Sequence, residues 1–159
     1  MTNLFEPIAL GGLALRNRLM RSPTAERVAD SVTGAPSTKQ RAIYEALARG
    51  GIGLIVTGHA YVARNGKAHP EMASIESDDL IPAWRETVRP AQELGARIIM
   101  QVNFGGSSCD PAVTPHSISP SGVVTNPQVT PRAMTRDEIA QVIAAFGQAA
   151  RRAREALDA

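Results

Sequence analysis

The sequence predicts an α/β fold built on parallel strands, and three observations carry that expectation. Short apolar runs alternate with amphipathic helical stretches three times along the 159-residue chain. The clearest run is continuously apolar rather than alternating, as befits a strand covered on both faces. Each helical stretch opens on a hydroxyl residue placed to cap it.

The chain begins with an apolar hairpin pattern over residues 4–17, broken by Gly11-Gly12. The first strand is expected at 18–21, followed by a loop of small and polar residues over 25–36. Ser37 with Gln40 makes a capping-box pattern, Ile43, Tyr44 and Leu47 supply the apolar stripe, and Gly50-Gly51 ends the helix. The second strand is expected at 53–58, with a long loop over 61–75. Ser77 then precedes Asp78 and Asp79, acids that suit a helix N-terminus. Leu80, Ile81, Trp84, Val88, Ala91 and Leu94 share one helical face. Pro82 is tolerable in the first turn, Pro90 is expected to kink the helix, and Gly95 ends it. The third strand is expected at 97–102. Residues 104–134 show no periodicity, and a loop that long is usually functional or disordered. Thr135 with Glu138 forms another capping box, and Ile139, Val142, Ile143, Phe146, Ala150, Ala153 and Leu157 continue the stripe. The run Arg151-Arg152-Ala153-Arg154 reads as that helix's solvated face.

Composition narrows the function classes. A net charge of +2 with few aromatics points to no nucleic acid and no membrane partner. Cys109 is the single cysteine, so an internal disulfide is excluded. The first residues lack a basic segment and a long apolar run, so the expectation is a cytoplasmic protein without a signal peptide.

In parallel α/β folds the site lies at the C-terminal ends of the strands. The candidates are therefore Ser22-Pro23-Thr24, Gly58-His59-Ala60 and Gln101-Val102-Asn103. They contain no acid/base pair, no Ser/His/Asp set and no Cys/His ligand spacing. Small residues and the Gln101 amide suit a planar ring, since small side chains let a flat ligand approach and an amide both donates and accepts. His59 could serve as an acid or proton shuttle, but a loop-edge or packing histidine is the favoured reading. His69 and His116 fall in polar loops without a partner at metal-ligand spacing, so no metal site is expected. Cys109 lacks an evident activating neighbour and reads as a plain loop cysteine.

The segment LFEPIALGGLALRNRLMRSPT, residues 4–24, resembles the opening of the old yellow enzyme family, the FMN-dependent ene-reductases. The run Ile98-Ile99-Met100-Gln101 resembles that family's third strand. The resemblance implies a (β/α)8 TIM barrel in which the hairpin closes the bottom. A TIM barrel needs about 250 residues, so residues 1–159 are expected to form the hairpin and the first three βα units of one incomplete barrel domain. It also implies FMN as cofactor, NAD(P)H as reductant, and an activated alkene such as an enone as substrate. Pro23, Thr24, Ala25, Gly58 and Gln101 would lie against the flavin, Gln101 at its pyrimidine edge. Gly58 alternatively reads as a glycine chosen for packing. Ala25 stands where many members place a Cys or Thr that tunes the flavin, and Phe104 and Ser107 replace a His and an Arg. The catalytic residues are expected beyond Ala159. A non-catalytic partial barrel that pairs with itself or with a C-terminal half is the alternative. An open sheet with uncovered edges is expected to be poorly stable alone or to form a homo-oligomer.

Overall fold

The computed structural model describes residues 3–158 and contains β1 (Ile8–Leu10), β2 (Leu13–Leu15), β3 (Met20–Arg21), α1 (Thr38–Arg49), β4 (Leu54–Tyr61), β5 (Ala73–Ser74), α2 (Ile81–Glu93), β6 (Arg97–Asn103), β7 (Ile118–Ser119), β8 (Arg132–Ala133) and α3 (Arg136–Leu157). β1 and β2 pair antiparallel, Ile8 opposite Leu15, with Gly11 at a φ of 58° in the turn. The hairpin is fastened by polar bonds. Arg16 donates to the carbonyl of Ala48 in α1's last turn, to that of Ile52 just beyond it and to that of Leu94 after α2. Such carbonyls lack intrahelical partners, and a cation is favoured beside them. Asn17 donates to Gly51 O at 2.7 Å, and a Cβ on Gly53 would fall 2.6 Å from Asn17 Oδ1. One Arg-Asn pair thus ties the hairpin to both βα units.

β4 is the central strand. β6 runs parallel along one edge of it, from Leu54 opposite Arg97 to Tyr61 opposite Asn103. β3 and β5 share the other edge, at Leu54–Ile55 and Ala60–Tyr61 respectively. The expected first strand therefore contracts from 18–21 to two residues, and the second extends from 58 to Tyr61. Partner availability sets these lengths, not the apolar run. β5 lies in the stretch expected to be loop, because two residues are too few to carry a periodic signal.

The core gathers Ile55, Ala60, Ile98 and Met100 from the sheet with Tyr44, Trp84, Val88, Ala91, Ala149 and Ala153 from the helices. Ser37 caps α1 through Gln40 N–H at 3.3 Å, but the Gln40 side chain does not close the box; it donates to Tyr44 Oη instead. Ser77 makes no side-chain cap, and a single 3-10 turn at Asp78–Leu80 leads into α2. α2 continues across Pro90 to Glu93, so the proline does not end it. The lost hydrogen bond is outweighed by burial of Trp84, Val88 and Ala91, and Trp84 Nε1 donates to Ser74 O at 2.7 Å. The stripe on α3 is rotated from expectation: Ala149, Ala153 and Ala156 are buried, while Ala150, Ile139 and Ile143 are exposed. The arginine run is not simply solvated, since Arg151 and Arg152 both reach Asp78 at 2.6 Å. Residues 104–134 carry a 3-10 turn and the short parallel pair β7–β8, Ile118 opposite Arg132.

The capping box of α3 forms as expected: Glu138 N–H donates to Thr135 Oγ1 at 3.2 Å and Thr135 N–H to Glu138 Oε2 at 2.7 Å. Arg132, then the Thr135 N–H, holds the Glu138 carboxyl down to about 2. A folded-state value below the unfolded one gives stabilisation complete above the ordinary carboxylate range and lost as pH falls toward 2. An NMR titration should place the Glu138 midpoint near 2, and Arg132→Ala should move it upward; an ordinary carboxylate midpoint in the parent protein would contradict the box.

Candidate functional site

Between β3 and β5, the edge of β4 from Val56 to His59 has no strand partner. Two side chains stand in for one. Arg21 donates to Val56 O at 3.0 Å, and Gly58 N–H donates to Glu26 Oε1 at 3.2 Å. Arg21 and Glu26 pair at 2.9 Å with side chains 14% and 6% exposed. Tyr44 Oη donates to the same Glu26 oxygen at 3.0 Å and accepts from Gln40. Burial, then the Glu26 charge, pushes the Tyr44 hydroxyl far above its ordinary range, so it stays a donor. This cluster escaped sequence reasoning, because Glu26 sits in an aperiodic loop and its partners come from β4 and α1.

The cluster seats the loop after β3. A Cβ on Gly58 would collide with the Glu26 carboxylate and lie 2.6 Å from Thr24 O. The packing reading of Gly58 thus has a direct cause, and Gly58 can meet a ligand only through its backbone. Ser22, Pro23, Thr24 and Ala25 are left exposed at the strand end. The Thr24 hydroxyl donates to Ser22 O, and its carbonyl accepts from Arg21.

A register shift reshapes the neighbouring strands. Val56 pairs with Ile99, but His59 pairs with Gln101, so β4 carries one extra residue there. The Thr57 hydroxyl fills the gap, accepting from Gln101 N–H at 3.1 Å and donating to Gly58 O at 2.8 Å. A bulge reverses the inward and outward alternation. His59, rather than Gly58, therefore stands beside Gln101 on the sheet face turned away from Ile98 and Met100. Gln101 is exposed, and its side-chain amide bonds to no described residue.

Of the two bland readings of His59, packing fits and loop edge does not: it lies within β4, and its Nε2 is 3.0 Å from His69 Nε2. His69 likewise has a partner, contrary to its isolated place in the sequence. It is buried, and its Nδ1 has no hydrogen-bond partner among the described residues. A buried N–H without an acceptor is expensive. His69 is therefore assigned the Nε2–H tautomer, donating to His59 Nε2. Burial lowers the proton affinity of both rings. The pair borders a cleft of about 540 Å³ lined by Arg27, His59, His69, Asn103, Phe104 and Ser108. Phe104 lies across Gly66, where a Cβ would strike its ring. Cys109 is buried, and burial raises its thiol pKa, as an unreactive cysteine requires. Among the described residues no three His, Cys, Asp or Glu side chains gather to hold a metal, and no helix is long and apolar enough to cross a membrane.

Two outcomes are expected. Glu26→Ala should cost about 3–5 kcal/mol in urea unfolding, because it leaves a buried guanidinium, a hydroxyl and the Gly58 N–H unmatched; a change below about 1 kcal/mol would remove the cluster from this role. The imidazoles of His59 and His69 should titrate below 6.5 by NMR. Their folded values are depressed, so the unfolded chain takes up protons first and stability falls as pH drops through 6.5.

The chain as a whole has known relatives. The model of the NADH:flavin oxidoreductase / NADH oxidase family matches residues 3–158. A metal reductase of Desulforamulus reducens is 33% identical over 158 residues, covering 98% of this chain and 23% of that protein. The probable NADH-dependent flavin oxidoreductase YqiG of Bacillus subtilis is 31% identical over 156 residues, covering 96% of this chain and 41% of the relative. The Old Yellow Enzyme of Pichia sp. AKU4542 superposes with a TM-score of 0.87 at 25% identity, covering 98% of this chain and 44% of that one. The chain spans less than half the length of each.

Proposed function

This chain belongs to the NADH:flavin oxidoreductase / NADH oxidase family, and from that membership we propose that it supplies part of an FMN site in an old yellow enzyme-like (β/α)8 barrel. The reaction proposed is hydride transfer from NAD(P)H through FMN to an activated alkene such as an enone, in a cytoplasmic enzyme. When bound, FMN supplies the hydride relay, while the protein supplies position and electrostatics.

The observation that carries this reading is Gln101. Its amide stands free on an exposed sheet face at the C-terminal end of β6, able to donate and accept toward a polar ring edge. Pro23, Thr24 and Ala25 fit a flat ring beside it, being small, exposed and held by the Glu26 cluster rather than by a ligand. Gly58 contributes by seating that loop. Ala25 has no side-chain donor, so a hydrogen bond from this turn falls to Thr24, whose hydroxyl now satisfies Ser22 O at 3.2 Å. Groups that polarise the substrate and loops that hold the FMN phosphate are assigned to residues beyond Ala159. A non-catalytic module pairing with itself or a C-terminal half is the second reading, favoured by Met20 and Ile99 at 56% and 41% exposure.

Titration of FMN into the full-length protein, followed by flavin fluorescence and sizing chromatography, tests the proposal. Saturable quenching is expected, with Gln101→Ala weakening it roughly five- to ten-fold, the worth of one hydrogen bond. Absence of binding, or a Gln101→Ala variant that binds as the parent does, would count against the site.

A further inference from the structure

The cleft beside Gln101 is more basic than a neutral alkene requires. Arg27 stands at a φ of 50°, a left-handed conformation unfavourable for a residue other than glycine, and borders the cleft. Its guanidinium makes no ion pair or hydrogen bond among the described residues, whereas nearby Arg21 is matched by Glu26. The His59 Nε2 is occupied by His69, so its Nδ1–H is the donor left over, and it is not among the buried orphan atoms. Asn103 and Ser108 add neutral donors to the same wall. The acidic groups near the pair are Glu26, already neutralised, and Glu71; Lys67 and Arg27 oppose them.

Resting on the reading above, we propose that this cleft holds a carboxylate on the substrate, gripped by Arg27 and the His59 Nδ1–H, with His69 fixing the His59 tautomer. The substrate class is then an activated alkene that carries an acid group. The grip is electrostatic and involves no covalent step. Arg27 favours the neutral pair when the cleft is empty; an incoming carboxylate offsets that charge and raises the proton affinity of His59.

The test uses the full-length protein with trans-4-oxo-2-pentenoate, an enone bearing a carboxylate, and its uncharged methyl ester. Adding the acid should move the His59 imidazole resonances and raise their titration midpoint, and the ester should not; this readout needs no flavin. In the flavin-loaded enzyme the acid should be preferred over the ester in kcat/KM. Arg27→Gln should cut that ratio roughly ten-fold or more, with partial recovery in Arg27→Lys, and His59→Asn should cut it less. Equal handling of acid and ester, or a preference that survives Arg27→Gln, overturns the proposal. So does a variant that weakens FMN but not riboflavin binding at unchanged ratio, because the cleft would then hold the cofactor phosphate. Failure to take up any flavin tells against the flavoenzyme reading alone, since the imidazole titration still decides this one.

Discussion

A gap in one strand edge governs this structure. β6 pairs with β4 from end to end except at the Thr57-Gly58 bulge, but on the other edge of β4 the pairing with β3 stops at Ile55 and that with β5 begins at Ala60. The backbone groups between would be buried without partners, which folded proteins avoid. The Arg21–Glu26 pair supplies what a strand would have supplied: a donor for Val56 O and an acceptor for Gly58 N–H. An ion pair this buried contributes little over an apolar replacement, yet losing one member is severe. Its value here is positional. It lays the loop after β3 on β4, requires glycine at 58, and leaves Pro23, Thr24 and Ala25 facing outward.

The bulge at Thr57-Gly58 is the second device on the same stretch. It inserts one residue opposite Met100 and brings His59 to the face of Gln101. The two devices are coupled, because Gly58 N–H is freed from any ladder for Glu26 while its carbonyl is satisfied by the Thr57 hydroxyl. The exposed Gln101 and the cleft bordered by Arg27 and His59 thereby adjoin at the end of the central strands. The departures at Phe104 and Ser107 fit the same picture: Phe104 covers Gly66 at the cleft wall, and Ser107 accepts from Thr125. Neither presents the charge or imidazole that the family resemblance led one to expect.

The parallel α/β class, the three helices and the α3 capping box were legible in the sequence, because each is written in local chemistry: apolar periodicity, hydroxyl caps and terminal glycines. The family was legible in residues 4–24 and 98–101, and its model matches residues 3–158; the placing of Pro23, Thr24, Ala25, Gly58 and Gln101 against a flavin belongs to the proposed function. Strand lengths, the two-residue β5 and the rotation of α3 onto Ala149 were not legible, since partners and burial decide them.

What the sequence determined alone was therefore the class of the fold and the family, both written in neighbours along the chain. Only the tertiary structure decided that Glu26 meets Gly58 and Tyr44, that His59 rather than Gly58 stands beside Gln101, and that His59 and His69 touch. Those outcomes depend on a register shift and on an unpaired strand edge, and neither leaves a mark in local spacing, because each arises when distant segments compete for the same hydrogen bonds.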